Sequence, residues 1–243
     1  MNLTINKLNA FFKGLVILIT PHIYLSWIRR PFQMIANIIA FSEWRSKQDR
    51  NGILDDFYSP TRNYDKRYKL YEYVSEQQNL PMQTIDYLEF GVCSAYSFKW
   101  WLNKLNNQQN RFYGFDTFEG LPEAWGTFDK GDMSASLPDI NDDRVRFLKG
   151  LFQDTLPGFL REQVIRENSK KIIHLDADLF SSTLYALTSL APYLKKGDIL
   201  LFDEFNVPNH EFFAFKQFCE SYYIKTKLIG AVNNYYQVAI EIL

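Results

Sequence analysis

Two cysteines in 243 residues, Cys93 and Cys219, cannot build a disulfide framework, and they read as reduced thiols of a cytoplasmic protein. Charge of one sign is missing too. The 27 Lys and Arg stand against 28 Asp and Glu, and the net charge of −1 offers no general attraction for nucleic acid. No internal repeat or low-complexity tract occurs, which excludes solenoids and disordered tails. Long hydrophobic runs are also lacking. "GLVILITPHIYLSWI" (14–28) has 15 residues with Pro21 and His22 inside it, short of the roughly 20 that a membrane-spanning helix needs. No small-x-small cleavage site follows it, so it makes a poor signal peptide. Glycine is scarce where a dinucleotide would need it: "LEFGVCSAYSF" (88–98) holds one, and the fingerprint G-x-G-x-x-G is missing.

The charge that is present is unevenly spread. Residues 1–50 carry seven Lys and Arg against Glu43 and Asp49, a net of +5, so the remainder sums to −6. The same segment is the most apolar of the chain, with "PFQMIANIIAF" (31–41) following Arg29 and Arg30. Three fates are open to it: helices packed on the domain or on a second subunit of a homo-oligomer, peripheral membrane contact through residues 8–42, or a true span. The expected division is an N-terminal helical extension, 1–60, and an α/β domain, 61–243.

From about residue 65 helical and strand periods alternate. Helices are predicted over 64–78, 96–105, 156–167 (opened by Pro157), 182–194 (capped by Ser181 or Ser182) and 211–222. Strands are predicted over 84–92, 111–116, 144–150, 171–176 and 197–205. The end reads as a hairpin, 225–232 and 235–243, joined by a tight turn at Asn233-Asn234. The expected fold is α/β: a doubly wound, mostly parallel, seven-stranded Rossmann-like sheet with a C-terminal antiparallel hairpin and an N-terminal helical extension.

Ligands of such sheets bind outside the carboxyl ends of the strands, and those ends are acidic here. Glu89 and Gly91 close the first strand, Asp116 the second, Asp176 the fourth with Asp178 just beyond, and Asp203-Glu204 the fifth. Two carboxylates at the end of the apolar run "KIIHLD" are costly unless something cationic meets them. The 27 residues from Asp176 to Asp203 accommodate one helix and one strand, a single crossover that brings the ends of adjacent strands within about 5 Å. Asp176, Asp203 and Glu204 would then converge on one ion, and an all-oxygen set suits Mg²⁺, Mn²⁺ or Ca²⁺ rather than zinc. The bland alternative is that helix N-termini and backbone amides satisfy these carboxylates. Glu89 before a glycine suits a ligand amine, and Asp116 stands where an acid holds ribose hydroxyls. Amine plus ribose without phosphate points to S-adenosylmethionine.

The segments "LEFGVCSAYSF", "YGFDTFEGLPEAW", "LKGLFQDTLP", "IIHLDADLF" and "LLFDEF" together resemble the class I S-adenosylmethionine-dependent methyltransferases, more narrowly the macrocin-type (TylF-like) O-methyltransferases. The first and third segments are also similar to the catechol O-methyltransferase pattern. The resemblance covers roughly 85–205. It implies that Glu89 and Gly91 hold the methionine part of the cofactor, with Ser97 and Cys93 lining it. It further implies Asp116 on the ribose, Phe152 and Gln153 by the adenine, Asp176, Asp203 and Glu204 as Mg²⁺ ligands, and Asp178 as general base. Ala95 departs from the family's usual glycine. The implied reaction moves a methyl group to a substrate hydroxyl of a small-molecule or glycan acceptor, a sugar in a glycoside, glycolipid or polysaccharide precursor. A D-x-D after an apolar strand also marks metal-dependent glycosyltransferases, and a non-catalytic relative with the N-terminal segment as its working part is the other rival.

The loop 117–140, with three glycines and two prolines, reads as a lid or substrate wall, where Trp125 or Phe128 either stacks on a sugar or simply packs. His174 reads as a core residue, and His210 as a helix cap or solvent-exposed. Tyr64, Tyr68, Tyr71 and Tyr73 read as helix surface and packing.

Overall fold

The computed structural model describes residues 3–243, so Met1 and Asn2 of the expected extension lie outside the described residues. The chain runs α1 (Leu3–Leu18), α2 (His22–Ser46), β1 (Leu54–Asp55), α3 (Lys66–Gln77), β2 (Ile85–Phe90), α4 (Tyr96–Lys104), β3 (Arg111–Asp116) and β4 (Val145–Lys149). It continues through α5 (Phe152–Arg161), β5 (Lys170–Leu175), α6 (Phe180–Leu190), β6 (Ile199–Phe202), α7 (Glu211–Tyr222), β7 (Thr226–Val232) and β8 (Gln237–Ile242).

The strands form one sheet in the order β1-β7-β8-β6-β5-β2-β3-β4, parallel except for β8, which runs antiparallel to both β6 and β7. This is the doubly wound, mostly parallel sheet expected, with eight strands rather than seven. The extra one, β1, is two residues that join β7 at the edge, too short to show any alternation in sequence. Central β2, β5 and β6 are buried almost throughout because helices cover both their faces. Leu156, Phe159, Leu187, Leu190, Phe212 and Phe215 of α5, α6 and α7 fill one face. Leu70, Tyr71, Val74, Phe98 and Trp101 of α3 and α4 fill the other.

Three local expectations are corrected. Pro157 lies inside α5 instead of opening it. Phe152, Leu156 and Phe159 share one buried face, and that burial outweighs a proline penalty of about 3 kcal/mol. Ser181 and Ser182 lie in the first turn of α6, not at its cap; the helix starts at Phe180, whose ring stacks on Phe213 at 5.0 Å. The hairpin turn spans four residues, 233–236, with Asn233, Asn234 and Tyr235 all in the left-handed region.

At the other end, α1 and the first part of α2 are exposed, and Pro21 cannot extend α1 because it lacks an N–H. The last turns of α2 bring Phe41 and Trp44 onto Phe205 and Phe212, with ring centroids 5.0 Å apart for Phe41–Phe212 and for Trp44–Phe205.

Candidate functional site

Strand order reverses between β2 and β5, and the carboxyl ends of the strands open there onto a cavity of about 690 Å³. Gly91, just after β2, has φ +93°, and a Cβ on it would stand 1.8 Å from the Asp176 carbonyl oxygen. Only glycine lets the ends of the two central strands come this close. Asp116 accepts hydrogen bonds from the backbone N–H groups of Cys93 and Phe118, each at 2.7 Å. It thereby ties the loops after β2 and β3 together, and its remaining lone pairs are available to the cavity that it lines. Cys93, Ser97, Phe152 and Gln153 line the same cavity.

Glu89 does not reach the cavity wall. It is fully buried, with one carboxylate oxygen accepting from the Ser97 hydroxyl at 2.7 Å and the other from Tyr87. The Tyr87 hydroxyl also meets His174 Nδ1 at 2.8 Å, and Tyr71 meets His174 Nε2 at 3.2 Å. The carboxylate expected beside a ligand amine thus lies behind the wall, and Ser97, which bonds it, lines the cavity. His174 is the core residue that its strand position indicates. Around the cavity, Cys93, Ala95, Phe118 and Asp178 all take positive φ, between 46° and 60°. Such backbone strain is sustained only where the surroundings over-determine it. Ala95, at the start of α4, has the conformation that glycine adopts without cost.

Asp176, Asp178 and Glu204 each offer an oxygen, and these oxygens lie within 4.8 Å of one another. Asp203, expected in that group, is instead paired with Arg67 of α3, whose guanidinium stands 3.2 Å from it and 4.0 Å from Asp176. One arginine does not neutralise this many acids. Burial, then the charge of Asp203, pushes Asp178 up to about 7. Burial and neighbouring carboxylates also hold Asp176 and Glu204 well above the usual carboxylate range. Burial raises Asp203 as well, with Arg67 opposing. Glu204 accepts from the Tyr236 hydroxyl at 3.0 Å, while its second oxygen and one oxygen of Asp203 are buried without a partner. Orphaned oxygens, raised carboxyls and an all-oxygen donor set fit a hard divalent cation.

Sequence reasoning missed Arg67, Arg62, Tyr64 and Tyr236, all of which line the cavity. The one signal for Arg67 is helical: it lies four residues before the buried Tyr71 on α3, so it shares that inward side. Tyr71 is the packing residue among the α3 tyrosines, buried in the core. The 117–140 loop supplies a wall in which Trp125 and Phe128 stack at 5.7 Å and pair through reciprocal backbone bonds. His210 stands at the N-cap of α7 without a capping side-chain bond, its ring 6.4 Å from Trp125.

The family model described as Macrocin-O-methyltransferase (TylF) matches residues 77–237. One curated relative is the 8-demethyl-8-(2,3-dimethoxy-alpha-L-rhamnosyl)-tetracenomycin-C 4'-O-methyltransferase of Streptomyces olivaceus, 32% identical over 117 residues, 40% of this chain and 42% of that protein. Another is the demethyldecarbamoylnovobiocin O-methyltransferase of Streptomyces niveus, 27% identical over 110 residues, 37% of this chain and 40% of that protein. The chain spans about two fifths of the length of these curated relatives. Among solved structures, the calicheamicin methyltransferase CalS11 superposes with a TM-score of 0.55 at 18% identity, covering 85% of this chain and 91% of that one. The O-methyltransferase NovP gives 0.54 at 21% identity, covering 73% of this chain and 78% of that one. These two likenesses show a shared fold.

Proposed function

The chain belongs to the macrocin-O-methyltransferase (TylF) family, and from that premise we propose that it transfers a methyl group from S-adenosylmethionine to a hydroxyl of a glycoside, glycolipid or polysaccharide precursor. The observation that carries this reading is the two-ended cavity: Asp116 held by two backbone amides near one strand end, and the Asp176, Asp178 and Glu204 cluster near the others. The relative named for 4'-O-methylation of a rhamnosyl-tetracenomycin supports the acceptor class.

Asp116 takes the ribose hydroxyls, Gly91 gives the cofactor close approach to the backbone, Cys93 and Ser97 flank its methionine part, and Phe152 and Gln153 meet the adenine. Asp176 and Glu204 would hold a divalent cation, most simply Mg²⁺, which when bound lowers the pKa of a coordinated hydroxyl and fixes its orientation. Asp203 braces Arg67, in place of the ligand role expected for it. The acceptor oxygen attacks the methyl carbon, the carbon–sulfur bond breaks with its electron pair going to sulfur, and the hydroxyl proton passes to Asp178. Asp178 lies beside Asp176 and Glu204, its oxygen within 4.8 Å of theirs, in reach of a hydroxyl held there. Trp125 and Phe128 offer a flat apolar wall for a sugar ring.

The test is methyl transfer from labelled cofactor to a panel of glycosides, glycolipids, sugar nucleotides and catechols, with Mg²⁺ or with EDTA. Turnover on a sugar acceptor that EDTA and Glu204→Gln each cut by about 10²-fold or more supports the reading. Full turnover in EDTA removes the metal, and transfer of a glycosyl group in place of methyl removes the methyltransferase reading.

A further inference from the structure

One side of α2 changes character along its length. Ser26, Arg30, Gln33, Asn37, Phe41 and Trp44 recur at three- and four-residue spacing and so fall on one side of the helix. At the C-terminal end that side is apolar and packs on Phe205 and Phe212. Toward the N-terminus it is polar, with Ser26, Arg30 and Gln33 exposed and Asn37 turned against the domain. Gln33 donates to the Asn37 side-chain oxygen at 3.2 Å, and buried Asn37 donates to that of Asn209 at 2.9 Å. Arg30 lies close enough to His210 to add to burial in disfavouring the charged imidazole.

The apolar side therefore points away from the domain. At ~100° per residue it spans an arc of roughly 200° over the first four turns. Ile23, Tyr24, Trp27, Phe32, Ile35 and Ile39 lie on it and are all exposed, Tyr24 at 72% and Trp27 at 75%. α1 meets α2 at 110° and exposes its own apolar residues, among them Leu8, Phe11, Phe12, Leu15 and Ile17. Helices of water-soluble domains turn their apolar side inward; here Asn37 is the residue turned inward and a broad apolar surface is left outside.

We infer that α1 and the exposed part of α2 lie in the headgroup region of an anionic lipid bilayer. Two helices meeting at 110° define a plane, and neither is long and apolar enough to cross a membrane. An arc of this width is broader than the narrow seam of a two-helix association and suits an apolar slab. Tyr24 and Trp27 are the residue types that favour the interface between lipid and water. Lys7, Lys13, Arg29 and Arg30 give the segment positive charge, against a domain of opposite sign, so attraction to anionic headgroups is confined to this end.

The test uses the full chain and co-sedimentation with vesicles of phosphatidylcholine alone or mixed with phosphatidylglycerol. Binding to the mixed vesicles is expected to be about tenfold or more tighter than to the neutral ones, and to weaken with salt. Ile35→Lys and Trp27→Glu, both at exposed positions away from the core, are each expected to weaken it about tenfold with unchanged circular dichroism. Absence of binding to either vesicle, or wild-type binding by both variants, overturns the inference. So does a lipid-free dimer in ultracentrifugation that both variants dissociate, which assigns the surface to a second copy. S-adenosylhomocysteine affinity, measured on the same samples, is expected to stay constant, which keeps the anchor separate from the methyl-transfer reading.

Discussion

Asp178 sits in a left-handed backbone conformation at the end of an apolar strand, beside two other acids, and each of these conditions is costly for an aspartate. Its folded value of about 7 lies above the ordinary 3.8, so the folded protein binds this proton more tightly than the unfolded chain. The stability linked to it is fully present below about pH 4 and is lost as pH rises through about 7. Asp176 and Glu204 shift in the same direction. Thermal melts of metal-free protein are therefore expected to show a lower Tm at pH 8 than at pH 6. Added Mg²⁺ is expected to raise Tm more at pH 8, because it competes with these protons. A metal-free Tm that rises between pH 6 and pH 8 would contradict the raised values. Asp178→Asn separates the proton acceptor from the ligands. Turnover is expected to fall about 10²–10⁴-fold while Mg²⁺ affinity, followed by calorimetry, changes only a few-fold. Loss of Mg²⁺ binding would make Asp178 a ligand instead.

At the scale of elements, α3 contributes what the strand ends lack. Arg67 meets Asp203, a side chain only 2% exposed, so removing the guanidinium leaves a buried carboxylate unpaired. Arg67→Met is expected to cost about 3–5 kcal/mol in urea unfolding at pH 8, and less at pH 6, where Asp203 takes a proton more readily. An equal cost at both values would place the effect in packing. The strands that frame the site were legible in sequence because "KIIHLD" and "GDILLFDEF" are apolar runs that end in acids, and a buried parallel strand has to look like that. The partner of Asp203 was not legible. It comes from a helix more than a hundred residues earlier, and no local spacing reports which helix lies over which strand end. Glu89 was legible in its position but not in its surroundings, since the hydroxyls of Tyr87 and Ser97 that bond it become neighbours only once strand and helix pack. β1 and the true start of α5 escaped for related reasons: two residues carry no period, and a proline signal was outweighed by three aligned apolar side chains.

Across the whole molecule, one doubly wound sheet brings every sequence-marked acid to the same edge, and the helix pair at the other end of the charge distribution carries an apolar surface outward. The cavity at that edge is the proposed site of an S-adenosyl cofactor. Titration calorimetry of the full chain with S-adenosylhomocysteine tests it most directly. Stoichiometric binding in the micromolar range or tighter is expected, weakened about tenfold or more by Asp116→Ala, and tighter than that of a nucleotide sugar titrated with Mn²⁺ already present in both solutions. No binding of S-adenosylhomocysteine, or preferential binding of the nucleotide sugar, would contradict it.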